Sequence, residues 1–185
     1  MRRLMAIICT AVLATGASYG SGLGLFVNQW DPDEGDKAIG YGAKLQFDLG
    51  EAVALELRGT YYEDLLDDDD DADLEAIPVE LGIVLTLPLG DSPISLYGTA
   101  GVGWYFLDGE VGGVNVEVDD EIGWYGGGGA ELELAEGLSI FAEATWRVVE
   151  ATAESDNTDD IEELEGDEEG TLDGLTLAAG IVLNW

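Results

Sequence analysis

From residue 39 to residue 49 every second position is apolar. Ile39, Tyr41, Ala43, Leu45, Phe47 and Leu49 alternate with Gly40, Gly42, Lys44, Gln46 and Asp48. A period of two sends successive side chains to opposite faces of a strand. The same alternation returns in residues 53–61, 77–89, 94–106, 122–134, 138–148 and 175–185. With the less regular "GLGLFVNQW" near the start, this predicts eight strands. Helical spacing fits none of them, and each reaches the roughly 9–11 residues that cross a bilayer as a tilted strand.

The connections alternate as well. "DPDEGDKA", "EDLLDDDDDADLE", "LDGEVGGVNVEVDDE" and "EATAESDNTDDIEELEGDEEGTLD" are long and acidic, whereas those around Gly50, Asp91 and Glu136 are short. Long loops therefore emerge at one end of the strands and tight turns at the other. In the third long connection, "VGGVNVEVD" is placed to extend its hairpin beyond the other strands.

Period two does not say which face points inward, because a soluble barrel buries its apolar row and a membrane barrel exposes it. Long strands, loop length sorted by end, and a polar row rich in Gly, Ala, Ser and Thr favour the membrane. So does the placement of Tyr41, Tyr61, Trp104, Phe106, Trp124 and Trp146, which gather on the apolar row toward the long loops as an interfacial girdle would. The expected fold is all-β, an eight-stranded antiparallel up-and-down transmembrane β-barrel.

The first residues read as an export signal. Arg2 and Arg3 precede the apolar run "LMAIICTAVLA" and the small residues of "TGASYG". Cleavage is expected after Ala17 or Gly20, giving residues 1–20 as signal peptide and 21–185 as the barrel domain. That run is shorter than the roughly 20 apolar residues of a spanning helix. The single cysteine, Cys9, lies within it, and the chain has no histidine. Disulfides, thiolate chemistry and the usual zinc ligands are thereby excluded from the mature chain. Losing Arg2 and Arg3 takes the formal charge from −34 to −36. Only Lys37, Lys44, Arg58 and Arg147 remain as bases, so nucleic acid is not an expected partner.

Signal, eight alternating strands, short turns, long loops and a terminal aromatic together resemble the small outer-membrane barrels of bacteria, the OmpA/OmpX/OmpW-like group. The resemblance spans the mature chain and is one of pattern. It implies a bacterial outer-membrane location, long loops outside the cell and turns in the periplasm. It further implies partners in the outer-membrane lipid and the barrel-assembly machinery. "TLAAGIVLNW" is similar to the carboxy-terminal insertion signal of such proteins, with Ile181, Leu183 and Trp185 in its alternate positions, although most of them end in Phe.

Candidate chemistry lies on the polar row. Lys44, Arg58 and Arg147 share it with Glu56, Glu80, Glu131 and Glu143. A base facing lipid at the midplane costs about 2–4 kcal/mol, so these seven are expected to form an ion network in the lumen. Counting back from a turn at Gly50 sets Lys44 opposite Glu56. The alternatives are a packed, ion-paired core and a charge-lined pore. "YGGGG" lacks the Gly-Lys-Ser/Thr of a phosphate loop; mid-strand, such glycines permit curvature or let aromatics lie over the backbone. Barrel enzymes of the resembled group rely on an active-site histidine, so no catalysis and no catalytic or cofactor-binding residue is expected.

The five consecutive aspartates fall in the second long loop. Asp67, Asp69, Asp71 and Asp73 have the alternate spacing of a calcium loop. However, Ala72 takes its glycine position and Pro78 the place of its bidentate glutamate. No specific metal site is expected, only weak collective binding of Ca²⁺ or Mg²⁺ by crowded carboxylates. The functional expectation is a structural or surface-interaction barrel whose acidic loops meet the medium, cations or a basic partner surface. The alternative is a narrow channel for cations or small solutes.

Overall fold

The computed structural model describes residues 21–33, 37–62, 72–111, 114–117, 121–151, 170–171 and 173–185. The export signal and the aspartates at 67, 69 and 71 lie outside the described residues.

Eight long strands follow the alternating segments: β1 (Ser21–Pro32), β2 (Ala38–Asp48), β3 (Val53–Tyr62), β4 (Ala72–Pro88), β5 (Ile94–Val111), β7 (Glu121–Ala135), β8 (Leu138–Ala151) and β10 (Gly174–Asn184). Two short strands, β6 (Val114–Glu117) and β9 (Gly170–Thr171), complete the described set. Sequential neighbours pair antiparallel, and β10 pairs with both β1 and β8, which closes the sheet. Closure leaves no strand edge to meet lipid. At the seam, Ser21 and Trp185 exchange backbone hydrogen bonds of 3.1 and 3.0 Å.

Alternation sets the two surfaces. Leu25, Ile39, Leu85 and Leu177 point outward and are exposed, as the hydrocarbon solvent requires. Their neighbours Phe26, Ala38, Val84 and Ala178 are buried in the lumen. Two of the tight turns use a left-handed glycine, Gly90 (φ 62°) and Gly137 (φ 76°), a conformation that costs a residue with Cβ more.

The β4–β5 hairpin is longer than its expected segments. Its register runs from Pro88↔Ser95 to Ala72↔Val111, and β6 adds to it through Val114↔Val111. Asp73, assigned from sequence to the loop, is thus within β4, opposite Glu110. A second irregularity is local. Along β3–β4 the pairing passes from Gly59↔Val79 to Tyr62↔Ala76, skipping the positions of Thr60 and Pro78. The even residues of β4 face β3, as Thr86 does when its N–H bonds Ala52. Pro78 therefore stands where an N–H should reach Thr60, and proline has none.

The lumen is filled in layers. Toward the long loops, Trp30, Ala38, Tyr62, Ala76, Tyr105 and Val149 form one cluster, each at most 1% exposed. Toward the turns lie Phe26, Phe141, Ala178 and Val182, and beside them Ala54, Val84 and Tyr97. Charged side chains occupy the space between.

Candidate functional site

Two ion clusters cross the lumen. In the first, Arg58 on β3 donates Nη2 to Glu56 at 2.6 Å and holds Glu143 of β8 with both terminal nitrogens, at 2.6 and 3.1 Å. Lys44 joins from β2, its Nζ 3.4 Å from Glu56. Gln46 donates to the same carboxylate at 2.9 Å. The ammonium also sits 3.7 Å from the centre of the Phe141 ring, a cation–π contact that partly replaces its lost hydration.

In the second cluster, Arg147 on β8 donates Nε and Nη2 to the two oxygens of Glu80 on β4, at 2.9 and 3.2 Å. Its Nη1 reaches the Thr176 hydroxyl and, at 3.3 Å, the Tyr62 hydroxyl. Tyr105 donates to Glu80 at 3.2 Å, and Asn28 donates to Tyr62 at 2.7 Å. Arginine suits both places because its planar fork matches a carboxylate with two parallel bonds.

All six charged residues are 5% exposed or less, and three bases face three acids. The lumen is therefore electrically balanced, which is the condition for holding ions away from water.

Two details depart from the sequence reading. Glu131 does not join the network. It lies half-buried at the turn end, 3.5 Å from the Asn184 amide, in a shallow pocket of about 300 Å³ that Ser95, Glu133 and Ser139 also line. The register also differs by two residues. Lys44 stands opposite Arg58, and Gln46 opposite Glu56, because the turn is centred on Glu51 rather than Gly50. Lys44 still meets Glu56, but diagonally, and Arg58 reaches the same carboxylate from its own strand.

The six aromatics named for the girdle are placed as follows. Tyr41, Trp104, Phe106, Trp124 and Trp146 are exposed on the outer wall. Tyr61, opposite Tyr41, is half-buried and donates to Glu75 at 3.1 Å. Ile181, Leu183 and Trp185 are also exposed on the outer wall, along the closing strand.

Sequence reading missed the aromatic filling of the lumen: Phe26, Trp30, Tyr62, Tyr97, Tyr105, Tyr125 and Phe141 are all buried there. They sit on the row that otherwise looks small and polar. A signal was present, since glycine faces them across the sheet. Phe26 is flanked by Gly42 and Gly180, Tyr97 faces Gly129, and Tyr125 faces Gly101. At Gly129 an added Cβ would come within 2.6 Å of the Tyr97 ring, so part of "YGGGG" is the bed on which that ring lies.

The sequence matches the outer membrane protein beta-barrel domain family over residues 4–181. No curated protein matches it. Among solved structures, Neisserial surface protein A superposes with a TM-score of 0.66 at 11% identity, covering 89% of this chain and 95% of that one. The N-terminal barrel domain of Pseudomonas aeruginosa OprF gives 0.63 at 13% identity, over 91% and 98%. The outer membrane enzyme PagL gives 0.50 at 14% identity, over 85% and 97%. At such identities the likeness is one of fold, shared by a surface protein and an enzyme alike.

Proposed function

As a member of the outer membrane protein beta-barrel domain family, the chain resides in the bacterial outer membrane, where we propose that it acts as a closed anchor presenting acidic loops at the cell surface. The observation that carries this reading is the bidentate Arg58–Glu143 pair. In the ring order β1-β2-β3-β4-β5-β7-β8-β10, strands β3 and β8 are four places apart in either direction. A guanidinium–carboxylate bridge between opposite walls blocks a continuous pore. The aromatic layer of Trp30, Tyr62 and Tyr105, each 0% exposed, supports closure above it.

Catalysis has no place in this reading. The fold admits enzymes, but no histidine is present to act as base. The carboxylates at the centre of the lumen are committed to arginine and lysine. The outer-membrane lipid surrounds the exposed apolar wall, and insertion falls to the barrel-assembly machinery. The long loops take up Ca²⁺ or Mg²⁺ weakly and collectively, or meet a basic surface on a partner. The decisive experiment is single-channel conductance of the refolded mature protein in a planar bilayer, with and without millimolar Ca²⁺. A closed barrel supports the anchor; stable cation-selective openings blocked by Ca²⁺ would make it a channel instead.

A further inference from the structure

The short turns enclose a space outside the ion clusters of the lumen. It is the shallow pocket of about 300 Å³ beside Glu131, lined from two turns and the ends of five strands. Backbone bonds fix its frame. The Glu133 N–H donates to the Pro93 carbonyl at 2.9 Å, and the Asn184 N–H to that of Gly137 at 2.8 Å. Gly137 is left-handed (φ 76°), and a Cβ there would come within 2.7 Å of the Asn184 carbonyl oxygen. Register sets Ser95 opposite Glu131 and Ser139 opposite Glu133, and all four line the pocket.

Two polar groups here are not spent on the protein. The Glu131 carboxylate is half-buried, and the Asn184 amide stands 3.5 Å from it, at the outer limit of a hydrogen bond. Ser139 is turned inward and 2% exposed, and among the described residues no hydrogen bond engages its hydroxyl. Buried polar groups nearly always have a partner. Positive charge is missing as well. Beyond Arg2 and Arg3 the chain's bases are Lys37, Lys44, Arg58 and Arg147. The last three are paired in the lumen, and Lys37 is bonded to Asp31 at the long-loop end. Glu131 is close enough to Asp48, on the opposite wall, for the two charges to repel.

We propose that this pocket binds a primary ammonium group on a short alkyl stem. Acids in a concave site focus their field on a cation and repel an anion. A hard divalent ion takes about 6–8 oxygens, and among the described residues no three acidic side chains are grouped to hold a metal. An ammonium only donates, through three N–H bonds, which suits the Glu131 carboxylate and the hydroxyls of Ser95 and Ser139. Pro88 and Pro93 offer apolar wall for the stem, as apolar surface does for a lysine side chain. The volume is at the low end of the about 300–1,000 Å³ usual for small-molecule sites, so it takes a group of this size rather than a larger one. The ammonium belongs either to a lysine of a partner protein or to a free amine.

The test is chemical-shift titration of the Glu131, Ser139 and Asn184 amides in the refolded mature protein at fixed ionic strength. The probes are n-butylammonium, Nα-acetyl-lysine methylamide and tetramethylammonium. The first two should give saturable shifts centred on these amides. Tetramethylammonium, with the same charge and no donor, should bind at least tenfold more weakly. Glu131→Gln should weaken n-butylammonium binding tenfold or more and Ser139→Ala several-fold. Glu75→Gln, which removes the same charge near the long loops, should leave it unchanged. Tighter binding of the lysine derivative would assign the site to a partner protein, and tighter binding of n-butylammonium to a free amine; either supports the pocket. Shifts that do not saturate, that are equal for tetramethylammonium, or that are indifferent to Ser139→Ala would overturn it, leaving diffuse attraction to an acidic surface. The anchor reading fails separately, by conductance.

Discussion

Arg58 and Glu143, 85 residues apart in sequence, meet across the full width of the lumen through two parallel hydrogen bonds of 2.6 and 3.1 Å. The barrel diameter set by eight strands is small enough for a glutamate and an arginine to bridge it.

Arg58→Ala strands two carboxylates in that space. Breaking a buried pair by removing one partner costs about 3–5 kcal/mol. The unfolding midpoint of the refolded protein should fall accordingly. Lys37→Ala is the control: its bond to Asp31 is exposed on both sides, 61% and 46%, and such pairs contribute about 0–1 kcal/mol. Equal shifts for the two variants would remove Arg58 from any stabilising role.

Gly42→Ala and Gly98→Ala separate inward from outward glycines. At Gly42 a methyl group would strike the Phe26 ring and come within 2.8 Å of the Gly59 carbonyl; overpacking of this kind costs about 1–3 kcal/mol. At Gly98 nothing lies nearer than 3.8 Å, so alanine there should be neutral or mildly stabilising. Denaturant titration of both variants decides the matter, and a larger loss at Gly98 would reverse the assignment of faces.

Tryptophan fluorescence reads the same geometry from the lipid side. A variant retaining only Trp124, 58% exposed on the outer wall, should be quenched more by a spin label near the headgroups than by one deep in the acyl chains. A variant retaining only Trp30, 0% exposed, should respond to neither. Stronger quenching of Trp124 by the deep label would place the girdle wrongly.

Beyond the girdle, register sets Glu75, Asp108 and Glu117 in one row across β4, β5 and β6. Like charges directly opposite one another weaken strand pairing, and cations relieve the repulsion. Exchange of the Val116 amide, opposite Gly109 in β5–β6, should slow when Ca²⁺ or salt is added. An unchanged rate would mean that the row carries no net repulsion.

Much of this was legible in the chain. Strict alternation around Lys44, Arg58 and Arg147 was enough to turn them inward, because a base facing lipid is so costly. The partners were less so. Lys44 was matched to Glu56 by counting from a turn, and one residue of error in the turn centre moves every pair by two. Glu131 has the same parity as Glu143, yet parity says nothing of depth, and it lies at the mouth. The aromatic filling was hidden for another reason. Hydropathy treats Tyr97 or Tyr125 as one more residue on a mixed row, while the need is for volume; the glycines opposite them were the visible trace.

Charge balance inside the barrel has a consequence outside it. Lys44, Arg58 and Arg147 are matched by Glu56, Glu80 and Glu143, so these six buried residues add nothing to the net charge of −34, which belongs to the rest of the chain. Each copy then carries a counterion cloud reaching about 10 Å at 0.1 M ionic strength and about 3 Å at 1 M. Where two copies approach in the plane of the membrane, overlap of these clouds repels them. That repulsion reaches farther as the medium is diluted and is cut short as its salt rises.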